Sequence, residues 1–90
     1  MRVEVCFLEG VHEEFGDGRV EDISPSGVRF ISDSHPPKGS PMVLKFHFPK
    51  PFQARGDVKL RARVVRNSRI GGHKNLYSIA CAFNQPTAIL

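Results

Sequence analysis

Met42–Phe48, read as M-V-L-K-F-H-F, sets Met42, Leu44, Phe46 and Phe48 on one face of an extended chain and Val43, Lys45 and His47 on the other. Side chains of a strand alternate between two faces, so this is the pattern of a strand with one buried side. The pattern recurs on both flanks. Asp57–Asn67 sets Val58, Leu60, Ala62 and Val64 against Lys59, Arg61 and Arg63, and Asn75–Phe83 sets Tyr77, Ile79, Cys81 and Phe83 against small residues. Toward the N-terminus, Arg2–Leu8 alternates Val3, Val5 and Phe7 with Arg2, Glu4 and Cys6, and Arg19–Ser24 and Val28–Ser32 read as two shorter strands. No window of eleven or more residues shows the 3.6-residue period of a helix.

The segments between these runs carry turn chemistry. Glu9–Gly18 holds three glycines and four acids and reads as a loop turning at Gly16-Asp17-Gly18. Pro25-Ser26-Gly27 reads as a tight turn, with Gly27 free to take positive φ. Asp33–Pro41, with three prolines and a glycine, reads as a surface loop, as does Pro49–Gly56. Ser68–Lys74 turns at Gly71-Gly72. Short strands at such spacing indicate an all-β fold, a small antiparallel barrel or sandwich; closure is the usual way such a sheet hides its edges, and a six-stranded antiparallel barrel is expected. Ninety residues make a single domain, 1–90.

Composition excludes several classes. With 40% hydrophobic and 24% charged residues the chain is neither disordered nor fibrous. Its apolar runs are too short for a membrane-spanning helix, so no membrane insertion is expected, and its N-terminus lacks a secretory pattern. Cys6 and Cys81 lie in strand-like runs and read as buried reduced thiols, which implies the cytoplasm. Charge is uneven. Residues 1–33 carry eight acids and three bases, and residues 34–90 carry ten bases and one acid, so −5 and +9 sum to the net +4. A basic half either attracts phosphates or is simply a solvated sheet face.

Catalytic chemistry is missing. His12, His35, His47 and His73 have no metal-ligand spacing, the serines have no nucleophile elbow, and no phosphate loop occurs, so neither an enzyme nor a metal site is expected. One cluster stands apart: Asp22-Ile23-Ser24-Pro25-Ser26-Gly27. Period two places Asp22 and Ser24 on one face. A carboxylate beside a hydroxyl can accept the adjacent N–H donors of a guanine edge, while Gly27 lets a ligand approach the backbone. The same residues could equally cap their own hairpin turn.

D-x-S-x-x-G between two short strands resembles the PilZ domain family. The wider resemblance runs through G-R-V-E-D-I-S-P-S-G-V-R-F at Gly18–Phe30, K-G-S-P-M-V-L-K-F at Lys38–Phe46, R-A-R-V-V-R at Arg61–Arg66 and the closing Tyr77–Phe83, about residues 2–84 in all. It implies a non-catalytic regulatory receptor in bacterial signalling, with cyclic di-GMP as ligand and no other cofactor. Similar domains hold the ligand with an R-x-x-x-R stretch ahead of the first strand and with the D-x-S-x-x-G turn. Asp22, Ser24 and Gly27 match the turn. Arg2 stands about where the second arginine belongs, and its partner would fall upstream of Met1, so weakened binding is expected of these ninety residues. Arg19 and Arg29 lie on strands nearby, and Arg66 takes a position that in similar domains often lies beside the ligand. The family's C-terminal helix is expected to be absent or minimal, since Pro86 follows closely on the last strand.

Two other readings stay open. One is a PilZ-like protein-interaction adaptor that binds no nucleotide. The other is a small basic barrel that binds RNA or single-stranded DNA. The last needs exposed aromatic platforms. Phe7, Phe46, Phe48, Tyr77 and Phe83 fall on apolar faces, which leaves only Phe15, Phe30 and Phe52. No DNA partner is therefore expected; a protein effector, or further domains of a longer chain, would be the partner.

Overall fold

A computed structural model describes the backbone at residues 2–9, 12–34, 36–47, 58–72 and 75–86, and the side chains at all of these but 2, 6–9 and 12–15. Six strands occur: β1 Arg2–Glu9, β2 His12–Ser24, β3 Gly27–Ser32, β4 Pro41–His47, β5 Val58–Arg69 and β6 Tyr77–Phe83. All neighbours pair antiparallel, and the ring closes in the order β1-β2-β3-β6-β5-β4. Two three-stranded meanders, β1-β2-β3 and β4-β5-β6, thus seal edge to edge, and no described strand leaves its ladder unpaired. The described residues contain no helix, in keeping with the all-β barrel expected.

The inward faces build one core. Val3, Val5, Val28, Phe30, Met42, Leu44, Phe46, Ala62, Val64, Ile79, Cys81 and Phe83 are buried there. Phe46 and Phe83 meet edge to face, their centroids 6.1 Å apart at 76°, the arrangement the aromatic quadrupole favours. Phe30 belongs to this core at 0% exposure. The assignment of Phe30 to the residues outside the apolar faces is therefore corrected, and one fewer aromatic is left for stacking. Phe15, Phe48 and Phe52 lie outside the described side chains.

Two of the expected loops are different in kind. Glu9–Gly18 is not a loop as far as it is described: β2 already begins at His12, and Gly16 and Gly18 pair with Val5 and Val3. Those glycines are packing residues. A Cβ on Gly18 would stand 2.7 Å from the Phe30 ring and 3.0 Å from Val3, so the narrow barrel uses a glycine to admit Phe30. Asp33–Pro41 is also more than a surface loop. Pro36 is fully buried, Asn67 Nδ2 donates to the Pro36 carbonyl at 2.8 Å, and Gly39 N donates to Val64 O at 2.8 Å. Ser34 meanwhile sits against Gly16. The segment therefore reaches from β2 to β5, which are opposite walls of the ring, and lies across one mouth of the barrel. The turn at Gly71-Gly72 is present, with Gly72 at φ +81°. The expected loop at Pro49–Gly56 lies outside the described residues.

Two β-bulges set which residues face outward. The β2–β3 ladder shifts register between Val20 and Asp22, and the β5–β6 ladder between Val64 and Arg66. A bulge inserts one extra residue and so reverses the parity of everything after it. Val20 and Ile23, three apart, both pack on the core, and Asp22 and Ser24 are turned outward. On β5 the extra residue is Val65, and Arg66 faces solvent where simple alternation after Val64 would have pointed it inward.

Candidate ligand-binding face

Ser24 and Gly27 close a two-residue hairpin through Pro25 and Ser26, and they pair with each other across it. The tip is pinned to β6, because Phe83 N donates to the Ser26 carbonyl at 2.9 Å. Gly27 is not at positive φ, contrary to the sequence expectation; the described glycines that are, Gly39 and Gly72, lie elsewhere. Its requirement is space. A Cβ on Gly27 would fall well inside contact with the Cys81 carbonyl oxygen, so the close approach of β3 to β6 demands glycine.

The register lays out the outer face as two rows. One runs Asp22–Arg29–Ala80–Arg66 across β2, β3, β6 and β5, and the next runs Ser24–Gly27–Ala82–Arg63. A carboxylate and a hydroxyl thus stand at one side of the face, two guanidinium-bearing residues at the other, and two alanines lie between. At about 4.8 Å per strand the rows run roughly 14 Å along the curved wall, half-way round the ring. Asp22 and Ser24 are brought together on one strand, as expected. Arg66 shares the Asp22 row but stands three strands away. Arg2 is on the neighbouring strand β1, paired with Arg19, one outward step along the strand from Asp22; its side chain lies outside those described.

Asp22, exposed, makes no hydrogen bond or ion pair among the described residues, so both carboxylate oxygens remain open to a donor. Ser24 is more occupied. Its Oγ lies 3.1 Å from Ser26 Oγ, accepts from Ser26 N at 3.3 Å and donates to Gly27 O at 3.5 Å. These are long, exposed contacts that cap its own turn. Arg29 leans toward the bulge residue Glu21, with Nε 4.0 Å from Oε1. Both members are exposed, so this pair is weak and can be given up to a ligand. Arg63, missed in the sequence, is a third cation of these rows, with Arg29 and Arg66; the signal was there in the alternation Arg61, Arg63 that puts it outward. Grooves elsewhere, including one of about 760 Å³ lined by Asp17, Arg19, Ile31 and Asp33, do not include Asp22, Ser24, Gly27 or Arg66. The candidate site is an open sheet face.

Among the described residues no group of three or more His, Cys, Asp or Glu is placed to hold a metal, and no helix is long and apolar enough to cross a membrane. Cys81 is a free, buried thiol whose pKa is pushed up to about 12 by desolvation; the Cys6 side chain lies outside those described.

The fold is a closed antiparallel barrel with its polar groups on an open outer face. The particular family is shown by sequence: the PilZ domain family matches residues 1–89. The chain belongs to the PilZ domain family, a family of non-catalytic receptor and adaptor domains known for cyclic di-GMP recognition. No curated protein matches the chain.

Proposed function

We propose that this domain is itself a cyclic di-GMP receptor, binding on the outer face of the barrel around the β2–β3 hairpin. The observation that carries this is the exposed, unpartnered Asp22 carboxylate on the same face as Ser24, inside the turn that matches the family's motif. Asp22 and Ser24 would accept from the N1–H and N2–H₂ edge of a guanine. Gly27 keeps that end of the face low. Arg2 would meet a phosphate or a guanine O6/N7 edge, both of which suit the guanidinium fork. The one observation favouring a nucleotide-free adaptor instead is the Ser24 hydroxyl, which is already engaged in its own turn.

The test is calorimetric titration of the ninety-residue chain with cyclic di-GMP, alongside Asp22→Ala. Losing a charge-assisted hydrogen bond costs about 1.5–3 kcal/mol, or roughly ten- to more than a hundredfold in affinity. Asp22→Ala should lose that much with an unchanged melting temperature, since the residue is exposed and makes no described contact. If the folded wild-type chain gives no heat at millimolar ligand, or if Asp22→Ala binds as well, the receptor reading fails and the adaptor reading replaces it.

A further inference from the structure

We infer that the outer face of β5 is a docking surface for an acidic, leucine-bearing segment of a partner protein. Four cations line the outer face of this strand, Lys59, Arg61, Arg63 and Arg66, all exposed. Among the described residues none of the four makes an ion pair, and β5 contains no acid. Alternate residues of a strand repeat at about 6.6 Å, so like charges are held close together in a line. Such a line raises the energy of the free protein and is relieved by an anionic chain laid along it.

Apolar features on the same strand choose among anionic partners. Val65, pushed outward by the β5 bulge, is 45% exposed and is the one exposed large apolar side chain among the described residues. Two hollows flank Arg61. One of about 440 Å³ lies between Lys59, Leu60 and the chain at Asn84–Pro86. The other, of about 190 Å³, is lined by Pro41, Met42, Val43 and Ala62. The larger hollow is mostly polar and suits carboxylates, while the smaller one, mainly apolar, is of a size for a leucine side chain; the two together give the mixed chemistry of a protein interface. A nucleic acid strand would supply phosphates but nothing for Val65, and it would need exposed aromatics for its bases. Phe30, Phe46 and Phe83 are buried and Tyr77 packs on the core. Arg63 and Arg66 also lie on the rows described for the nucleotide face, so the test rests on Lys59, Arg61 and Val65, which do not.

The probe is a fluorescein-labelled peptide of glutamates with leucine at every second position, read by anisotropy at about 0.15 M salt in nucleotide-free protein. An all-glutamate peptide and a single-stranded oligodeoxynucleotide of equal charge are the comparisons. The expected order is Glu/Leu peptide first, with at least about a tenfold advantage over the oligonucleotide. Lys59→Glu with Arg61→Glu should weaken both peptides by about tenfold or more, a 1.4 kcal/mol change per decade. Val65→Ser should weaken the Glu/Leu peptide alone, by about threefold or more, because only that peptide presents an apolar partner. Thermal melts establish that the variants are folded, and the milder Lys59→Gln with Arg61→Gln replaces the reversal if that one unfolds. The inference is overturned if the oligonucleotide binds as tightly as the Glu/Leu peptide, if neither peptide binds, or if Val65→Ser changes nothing. Sedimentation showing that the face is instead covered by a second copy of the chain would overturn it equally.

Discussion

Gly27→Ala separates two meanings of the last residue of D-x-S-x-x-G. If that glycine serves the sheet, its replacement must unfold the protein more easily; if it serves the ligand, only binding should suffer. The structure argues for the sheet. An alanine methyl at 27 would collide with the Cys81 carbonyl oxygen and stand 3.4 Å from its carbon and 3.5 Å from Ala82 Cα. All three atoms are backbone on β6, so relief requires the strands to part. Overpacking of this kind costs about 1–3 kcal/mol. The alanine restores about 0.4–1 kcal/mol by restricting the unfolded chain, which leaves a net loss of about 1–2 kcal/mol. In a domain of this size each kcal/mol moves the melting temperature by about 4–8 °C. The expected fall is therefore about 5–15 °C by calorimetry or circular dichroism. Gly71→Ala is the control. Its added carbon meets nothing within 4 Å and its φ is not left-handed, so it should melt at the wild-type temperature or slightly above. A Gly27→Ala protein that melts with wild type and loses only cyclic di-GMP affinity would refute the packing argument.

Two further outcomes follow from the core. Cys81 should resist thiol reagents in the native state, and stability should fall as pH rises above about 9. Unfolded, the thiol ionises near its ordinary value of 9.0; folded, it holds its proton to about 12. Between these the unfolded state has lost the proton, so alkali favours unfolding with a slope approaching about 1.4 kcal/mol per pH unit. Urea titrations across pH 8–11 (about the range of the effect) should show this slope in wild type and its loss in Cys81→Ala. Phe30→Ala, which empties a fully buried site, should cost about 3–5 kcal/mol; a loss under about 1 kcal/mol by urea denaturation would mean that Phe30 is not the core residue its burial implies.

The alternation of Met42–Phe48 and of Val58–Val64 was enough to establish strands, because a half-buried sheet face imposes period two on every residue it packs. It was not enough for β2. There the glycines and acids of Glu9–Gly18 carry turn statistics, yet Gly18 is in the strand for a reason that lies on the neighbouring strands, in the volume of the Phe30 ring and of Val3. Pro36 likewise sits in a composition that reads as solvent-facing, yet it is buried, with its carbonyl accepting from Asn67 Nδ2 thirty-one positions later. Local sequence carries propensity; these two positions were decided by tertiary neighbours that no local window contains.

The candidate face depends on the two bulges, and these leave a mark in the sequence. Apolar residues that repeat every two positions fall out of step at Val20-Glu21-Asp22-Ile23 and again at Val64-Val65-Arg66-Asn67. A skipped beat inside an otherwise alternating strand is the signature of an inserted residue. On β2 the skip turns Asp22 outward and supplies Glu21 as the partner of Arg29. On β5 it turns Arg66 outward and exposes Val65. Because β2 and β5 are opposite walls of the ring, one bulge shapes the carboxylate end of the nucleotide face and the other shapes both its far cationic end and the β5 ridge beyond it. Asp22 and Arg66 point outward from opposite walls, so cyclic di-GMP held at Asp22 should leave the acidic peptide's binding along Lys59, Arg61 and Val65 unchanged; anisotropy titrations with and without the nucleotide check this, and a loss of about tenfold on adding the nucleotide would refute it.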